Sequence, residues 1–401
     1  MSSRIRSAKA LIPALMVGLG ATAMAAPNEI KIYGFGAKSG VGGIFGQQSE
    51  AAMQAAAEMI NKQGGVTLGD GSKAKLVIEY LDDRCNAEEG INALRRIAAQ
   101  KDAVVGIGPT CSNVAEPAFG ILQKKNGDAS DSGIQFPLYT DVAAKGGLAS
   151  ISEWSFRNVP NEANMYKSLF EWIKASRPDL KTFWGGVEKD FAHSNFTYGV
   201  IEKNAGGNSL QVLGRSEWLL NDINFSNQVR EMKRANADVV AISAHPFTTC
   251  GVLKEMARQN VKPKMLIGLT SSSSMETLNG CAAQAAGLVI PTSFAPVTDA
   301  AKQAASAIQK INPKYNMDLY NAAAFENVFT LKELMEKQKI MGRPDTVQAD
   351  RQKMREGLAQ LKQTQGLLGK VGRTNDREAV KPFLFVQAKG KEWISLHTPA
   401  Q

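Results

Sequence analysis

The sequence predicts an α/β fold built from two consecutive units of strands and helices. Short apolar runs typical of strands alternate with longer segments in which apolar residues recur at helical spacing. This alternation pauses after the first unit and restarts at Glu162. Strands and helices that alternate in this way form parallel sheets with right-handed crossovers. A chain of 401 residues is long enough for two such domains.

The first unit begins with a strand, a glycine-rich turn and a helix. Residues 30–35 predict a strand, which the glycines at 36, 40, 42 and 43 stop. Apolar residues at helical spacing predict a helix over 47–63, and a Gly-Gly pair ends it. The remaining predictions for this unit are strands at 76–81 and 103–107, and helices at 87–100 and from 114 onward.

The second unit repeats the alternation and is followed by long helices and a terminal hairpin. Its predicted helices lie at 162–175, 195–204, 225–235 and 252–259, and its strands at 182–187, 210–217, 239–243 and 265–267. Long helices at 299–311 and 322–338 and strands at 383–387 and 393–396 complete the chain. Two such units place ligands at the carboxyl ends of the strands or between the domains.

The N-terminal residues 1–26 have the pattern of a secretory signal peptide. Arg4, Arg6 and Lys9 precede an apolar stretch at 10–24, and the small-x-small pattern at 23–25 predicts cleavage there. The apolar stretch is too short to anchor the chain in a bilayer. We therefore expect a mature protein in an exported compartment, with a disordered or tethered N-terminus as the alternative.

Four cysteines, at positions 85, 111, 250 and 281, indicate two disulfides in an exported protein. Three pairings are possible, of which the local one closes two loops of similar size. A zinc site would need close ligand pairs, and the sequence has none. The net charge of +9 is interspersed rather than clustered with aromatic residues, which argues against a nucleic-acid partner.

Motifs for nucleotide binding and for catalysis are incomplete. The turn at 34–40 lacks the third glycine of the dinucleotide pattern, since Ser39 stands there, and Ala37 replaces the glycine of the phosphate-loop pattern. No Gly-x-Ser-x-Gly is present, and no histidine has a neighbour that suggests a nucleophile. His193 and His245 follow strands of the second unit and either face a crevice or are ordinary surface or core residues.

The segment 108–113 follows a buried strand and opens a helix. Its small hydroxyl residues and the free N–H groups of a helix N-terminus form a candidate anion site. The alternative is an ordinary N-cap by Ser112.

At this loop the chain resembles the leucine/isoleucine/valine-binding proteins, the type I solute-binding proteins of ABC importers. The resemblance covers nearly the whole mature chain and rests on the order and spacing of its motifs. These motifs are Tyr80-Leu-Asp-Asp-Arg-Cys85, Gly108-Pro-Thr-Cys111-Ser112, Gly36-Ala-Lys-Ser-Gly40 with Phe45-Gly46-Gln47, Ile60-Asn61-Lys-Gln-Gly64-Gly65-Val66, Pro137-Leu-Tyr-Thr140 and Glu188-Lys-Asp-Phe-Ala-His193.

The resemblance implies a two-lobed type I periplasmic binding protein. Each lobe is expected to be a mainly parallel sheet flanked by helices, and the lobes are joined by a three-stranded hinge. Lobe 1 is expected at 27–157 with 293–371, and lobe 2 at 158–292 with 372–401. The resemblance also implies a Cys85–Cys111 disulfide, and with the even cysteine count we predict Cys250–Cys281 as the second bond.

The resemblance further implies a set of ligand-binding residues. Ser112 and Thr140 fall where the family binds the ligand carboxylate, and Phe45 falls on an aromatic residue that packs on the ligand. Tyr139 lies beside Thr140. His193 replaces an aromatic residue of the second lobe. His245 or Phe247 lies on the loop after the following strand, and Thr270 follows the strand at 265–267.

Thr270 marks a departure from the family pattern. Amino-acid binders of the family place an acidic residue after this strand, where it pairs with the ligand ammonium, whereas this sequence has Gly268-Leu269-Thr270-Ser271-Ser272. A buried ammonium without a counter-charge is costly. We therefore expect either a counter-charge from Asp141 in the other lobe, or a ligand without an ammonium.

The sequence thus predicts the solute-binding component of an ABC importer. It is expected to close over a small carboxylate, either a branched-chain-type amino acid or an aromatic or aliphatic organic acid. We expect a periplasmic monomer that is not an enzyme, needs no cofactor or metal, and delivers its ligand to an ABC permease in the inner membrane. The alternative is a sensor of the same fold that signals to a receptor.

Overall fold

The computed structural model describes residues 27–40 and 42–399. The predicted signal peptide lies outside these residues. Within them, the helices are too short or too polar to cross a membrane.

The first part of the chain forms a six-stranded sheet in the order β2-β3-β1-β4-β5-β6. Apart from the edge strand β2, which pairs antiparallel with β3, its strands are parallel. The elements are β1 Glu29–Gly36, α1 Gly43–Lys62, β2 Val66–Thr67, β3 Lys73–Asp82, α2 Ala87–Ala98, β4 Gly106–Ile107, α3 Ser112–Gly120, β5 Leu138–Thr140 and β6 Ser155–Arg157.

The rest of the chain contains a seven-stranded sheet in the order β16-β15-β11-β10-β9-β7-β8, a small antiparallel sheet of β12, β13 and β14, and the helices that flank both lobes. Its elements in chain order are α4 Glu162–Ser176, β7 Thr182–Glu188, α5 Ala192–Gly207, β8 Gln211–Trp218, α6 Ser226–Ala235, β9 Val239–Ser243, α7 Pro246–Arg258, β10 Met265–Gly268, α8 Met275–Ala285, β11 Leu288–Thr292, α9 Asp299–Ile311, α10 Leu319–Lys337, α11 Val347–Gln360, β12 Gln363–Gly366, β13 Gly369–Arg373, β14 Ala379–Val380, β15 Leu384–Lys389 and β16 Glu392–His397.

The chain passes between the two lobes three times. It leaves the first sheet after β6 and builds the second sheet up to β11. It then returns, because α9, α10 and α11 contribute Ile308, Leu331 and Met354 to the same apolar core as α1. It finally crosses to β15 through the small antiparallel sheet. The predicted lobe boundaries fall within these passages and stay a prediction.

Both disulfides are present in the structure. Cys85 is bonded to Cys111 with a Cα–Cα distance of 5.6 Å, and Cys250 to Cys281 with 5.4 Å. The first bond ties the end of β3 to the residue before α3, and the second ties α7 to α8. The predicted presence of two disulfides is confirmed.

Two helices of the second lobe begin earlier than predicted, which matters for the site. Helix α5 starts at Ala192 rather than at 195, and α7 at Pro246 rather than at 252. The first turn of α5 consists of small and polar residues, and the first turn of α7 has one large apolar residue, Phe247, so neither turn shows apolar periodicity. Pro246 fits the first turn, where its missing N–H costs nothing. His193 and His245 therefore lie at helix N-termini.

Candidate ligand-binding site

A cleft of about 280 Å³ lies between the two lobes. Segments that follow parallel strands of both sheets form much of its wall, at the position where α/β proteins bind ligands, and Tyr320 of α10 completes it. The lining residues from the first lobe include Phe45, Arg84, Thr110, Cys111, Ser112, Asn113, Val142 and Tyr320, and those from the second include Asp190, Phe191, His193, His245 and Phe247.

The first-lobe wall contains the N-terminus of α3. The backbone N–H groups of Ser112 and Asn113 donate to no acceptor within the described residues, as is usual for the first turn of a helix. The Ser112 hydroxyl accepts a hydrogen bond from the Lys145 N–H at 3.2 Å, which leaves its proton free to donate. Cys111 is the N-cap residue, without a side-chain cap bond, so Ser112 is not the N-cap. This surface offers three hydrogen-bond donors to an anion.

The loop that carries these donors is held rigidly. Gly108 has a φ of +118°, and a Cβ atom there would lie 2.2 Å from the Phe35 carbonyl oxygen, so glycine is required where the chain leaves β4. The Thr140 hydroxyl donates to the Pro109 carbonyl at 2.6 Å. The Cys85–Cys111 disulfide ties the end of the loop to the end of β3. The N–H groups of α3 are therefore held in place before a ligand arrives.

An aromatic pair covers one side of the cleft. The rings of Phe45 on α1 and Tyr320 on α10 lie 4.5 Å apart between centroids. The Tyr320 hydroxyl is buried beside Ser271 and makes no hydrogen bond of good geometry within the described residues. Burial raises the pKa of this hydroxyl well above its usual value, so it stays protonated. The pair supplies an apolar surface, because the Tyr320 hydroxyl is itself buried.

The second-lobe wall presents His193, which is paired with a buried carboxylate. Its Nε2 atom lies 2.9 Å from Glu162 Oε1. The Glu162 carboxylate also accepts hydrogen bonds from the hydroxyls of Thr197 and Thr270. Burial alone would raise the pKa of Glu162, but the imidazole and the hydroxyl donors outweigh it and hold that pKa below its usual value.

His245 forms a second pair of the same kind. Its Nδ1 atom lies 2.6 Å from Glu188 Oε1, and the Thr248 hydroxyl donates to Glu188 Oε2 at 2.6 Å. Burial is again outweighed by the imidazole and the hydroxyl, so the pKa of Glu188 is lowered. The rings of His193 and His245 are 5.6 Å apart between centroids. We call His193 and His245 the histidine pair, and Glu162 and Glu188 its two glutamates.

One hydrogen bond joins the two lobes across the cleft. The Ala192 N–H, at the start of α5, donates to the Asn113 side-chain oxygen at 2.8 Å. Arg84 and Asp190 lie exposed at the rim. The Asp190 carboxylate accepts from the Leu220 N–H at 2.9 Å. The two lobes therefore already touch at the edge of the cleft.

Four of the seven predicted ligand-binding residues line the cleft, namely Phe45, Ser112, His193 and His245. Tyr139, Thr140 and Thr270 are buried residues outside that lining.

The hydroxyl of Tyr139 accepts a hydrogen bond from Arg373, whose guanidinium also lies 5.3 Å from the ring centroid. Thr140 supports the loop before α3, and Thr270 donates to Glu162. A ligand contact for these three stays a prediction.

Asp141 is not a cleft residue in this structure. It is fully buried and accepts hydrogen bonds from the Ser49 hydroxyl at 3.0 Å and the Val142 N–H at 2.9 Å. The acidic groups near the ligand wall are instead Glu162 and Glu188, which sequence reasoning missed. Their histidine partners are 31 and 57 residues away along the chain, so no local motif signals them. Tyr320 was missed because it precedes the helix predicted over 322–338, whereas α10 begins at Leu319.

A two-lobed α/β chain with a polar cleft at the strand ends defines a solute-binding protein. Residues 29–392 match the model of the periplasmic binding protein family, so the chain belongs to that family. An amino acid binding protein from Pseudomonas aeruginosa is 29% identical over 262 residues, which cover 64% of this chain and 64% of that relative. The chain thus aligns with less than two thirds of the relative's length.

Two solved structures have the same fold. A branched-chain amino acid transporter substrate-binding protein from Streptococcus pneumoniae, in complex with isoleucine, has a TM-score of 0.77 at 16% identity and covers 92% of this chain and 99% of its own. A solute-binding protein of an ABC transporter from Rhodopseudomonas palustris, in complex with benzoate, has a TM-score of 0.76 at 15% identity and covers 92% and 96%. The two-lobed type I fold and the predicted resemblance are confirmed.

Proposed function

We propose that this protein is the periplasmic solute-binding component of an ABC importer and that it captures a small carboxylate by closing its cleft. The observation that carries the proposal is the interlobe cleft, whose first-lobe wall offers the N–H groups of Ser112 and Asn113 and the Ser112 hydroxyl. Three donors at a helix N-terminus suit a carboxylate, which accepts through two oxygens.

The apolar part of the ligand would pack against Phe45 and Tyr320. This surface suits either a branched aliphatic chain or an aromatic ring, because both bury well against offset aromatic side chains. The two solved relatives bind isoleucine in one case and benzoate in the other. Both are small carboxylates, which supports that ligand class for this chain.

An α-ammonium fits the cleft poorly. Among the described residues, the acidic side chain that lines the cleft is Asp190, and it is exposed at the rim. The oxygens of Glu162 and Glu188 lie behind the histidines and already accept hydrogen bonds from imidazoles and threonines. A ligand ammonium would therefore lack a direct counter-charge, so organic acids without an amino group are the favoured ligands.

Capture follows from the arrangement of the two lobes. A ligand that contacts α3 in one lobe and the histidines in the other gains affinity only when the lobes are close, so binding stabilises the closed state. The Asn113–Ala192 hydrogen bond is a contact of that closed state. The closed form is what an ABC permease would recognise, with the protein acting as a monomer. Like the solute-binding proteins it resembles, it would act by binding rather than by catalysis.

The second candidate function is ligand sensing. The same closure could be read by a receptor instead of a permease, since the fold and the cleft would be identical. Genes for a permease and an ATPase next to this one would support transport.

A thermal-shift screen tests the proposed function. The purified mature protein is melted with amino acids, aromatic acids, aliphatic acids and, as a control class, neutral sugars. A ligand that binds the native state raises the melting temperature by mass action. We expect at least one small carboxylate to raise it and the sugars to leave it unchanged. A shift with sugars alone would contradict the proposal.

A further inference from the structure

The second-lobe wall contains two buried imidazoles with one unused nitrogen each. His193 and His245 are each only 4% exposed and both line the cleft. His193 is bonded through Nε2 and His245 through Nδ1. Within the described residues, no hydrogen bond involves His193 Nδ1 or His245 Nε2. Two ring nitrogens on one cleft wall therefore lack a partner within the described residues, and neither is among the fully buried unpartnered atoms.

We propose that the histidine pair is a second anion subsite, so that the ligand is a small dicarboxylate held by α3 at one end and by His193 and His245 at the other. This inference rests on the proposed function, because it assigns the opposite end of the same ligand.

The surroundings of the pair favour an anion over a cation. His193 lies in the first turn of α5, and His245 is the N-cap of α7, so the positive ends of two helix dipoles are directed to this wall. Arg84 also lines the cleft. The carboxylates of Glu162 and Glu188 stand behind the imidazoles, where they stabilise imidazolium rather than contact the ligand.

The second carboxylate would be bound by the imidazolium form of the histidine pair. In the neutral form, each histidine donates its proton to its glutamate and presents a lone pair at the other nitrogen, which repels an anion. Protonation by solvent converts that lone pair into an N–H donor, and the bound carboxylate and the glutamate together compensate the new charge. The affinity for a dicarboxylate must therefore fall as the pH rises, by up to about tenfold per pH unit for each proton taken up.

Other charged groups also face the histidine pair. Glu162 and Glu188 are its direct partners. Asp190 and Arg84 lie at the rim. Arg157 is close enough to Glu162 for the two charges to interact. The arginines stay protonated across neutral pH, and both glutamates titrate below their usual range. The charge of the histidine pair therefore decides whether this wall attracts an anion.

Calorimetry with matched ligands tests the subsite. Glutarate is compared with pentanoate, and terephthalate with benzoate, at pH 6 and pH 8. At least one dicarboxylate should bind tenfold or more tightly than its monocarboxylate at pH 6, and this ratio should shrink at pH 8. Titrations in two buffers with different ionisation enthalpies should show net proton uptake with the dicarboxylate.

Variants locate the effect. His245→Gln and His193→Asn should each reduce the ratio, whereas His397→Gln, a change of the third histidine on β16, should leave it unchanged. The wild-type pH dependence stands as a test even if a cleft variant fails to fold. Tight monocarboxylate binding with no dicarboxylate preference overturns the subsite while the proposed function stands. If no carboxylate of either kind binds, both proposals are overturned.

Discussion

At the scale of single residues, two buried carboxyl groups have pKa values shifted in opposite directions. Glu162 and Asp141 are both fully buried carboxyl groups. An imidazole and two threonine hydroxyls lower the pKa of Glu162. Asp141 has one hydroxyl and backbone donors, which are too weak to offset burial, so its pKa rises to about 7. The number and charge of the donors, rather than burial, decide which carboxyl is ionised.

Asp141→Asn should stabilise the protein at alkaline pH. The unfolded carboxyl ionises near pH 4, whereas the folded one keeps its proton up to about pH 7. Folding therefore loses stability as the pH rises from 4 to 7, on the order of 4 kcal/mol in full. Denaturation at pH 4 and pH 8 should show the variant more stable than wild type only at pH 8. Equal effects at both pH values would contradict the raised pKa.

Ser112→Ala should weaken ligand binding by about 1–3 kcal/mol, because a charge-assisted hydrogen bond to the carboxylate is lost. Calorimetry with the ligand found by the screen measures the change, and Ser306→Ala, an exposed position on α9, is the matched control. If Ser112→Ala binds as well as wild type, the placement of the carboxylate at α3 is wrong.

At the scale of elements, the two disulfides have different positions relative to the cleft. Cys85–Cys111 fixes the loop that orients α3, and both cysteines line the cleft. Cys250–Cys281 ties α7 to α8 outside that lining. Both close loops of similar length, with separations of 26 and 31 residues. They should therefore contribute equally to stability and unequally to binding.

Removing each disulfide should separate stability from affinity. The double variants Cys85→Ser with Cys111→Ser and Cys250→Ser with Cys281→Ser should each lose about 3–4 kcal/mol by the loop-closure model. Only the first double variant should also lower the affinity for the ligand, because the N–H groups of α3 are then no longer held in place. Chemical denaturation measures the free energy of unfolding, and calorimetry measures the affinity for the ligand. If removing Cys250–Cys281 lowers the affinity as much as removing Cys85–Cys111, the first disulfide has no special role in holding α3.

The elements that the sequence predicted well are those with strong periodicity. Helix α9 and strand β9 have the predicted bounds. The sheet β12–β14 was not predicted, because its strands are short, polar and rich in glycine. Among the site residues, Ser112, His193 and His245 follow predicted strands, so the sequence alone identifies them as candidates. The glutamates contact them only through the fold, so no sequence spacing could reveal them.

At the scale of the whole molecule, buried ion pairs hold the passages between the lobes. Lys381, just before β15, donates to Glu326 of α10, and both side chains are almost fully buried. Glu326 also accepts from Asn158 at 3.1 Å, directly after β6. Arg157 and Glu378 form a second pair at 2.9 Å. Residues from separate passages thus take part in these two ion pairs.

Glu326→Gln should destabilise the protein by about 3–5 kcal/mol, because it leaves the Lys381 ammonium buried without a counter-charge. Adding Lys381→Met should recover much of the loss, since the pair is then replaced by groups of lower desolvation cost. Urea denaturation of the two variants provides the comparison. A Glu326→Gln variant as stable as wild type would show that the Lys381–Glu326 pair does not support these passages.

The central claim is that the cleft binds a carboxylate that carries no α-ammonium. Calorimetric titration at neutral pH with leucine and with its deaminated analogue, 4-methylpentanoate, tests it most directly, because the two ligands differ only in the amino group. The account predicts that 4-methylpentanoate binds more tightly, since the acids behind the histidines are already engaged. Leucine binding tenfold tighter would contradict it and would show that a counter-charge reaches the ligand.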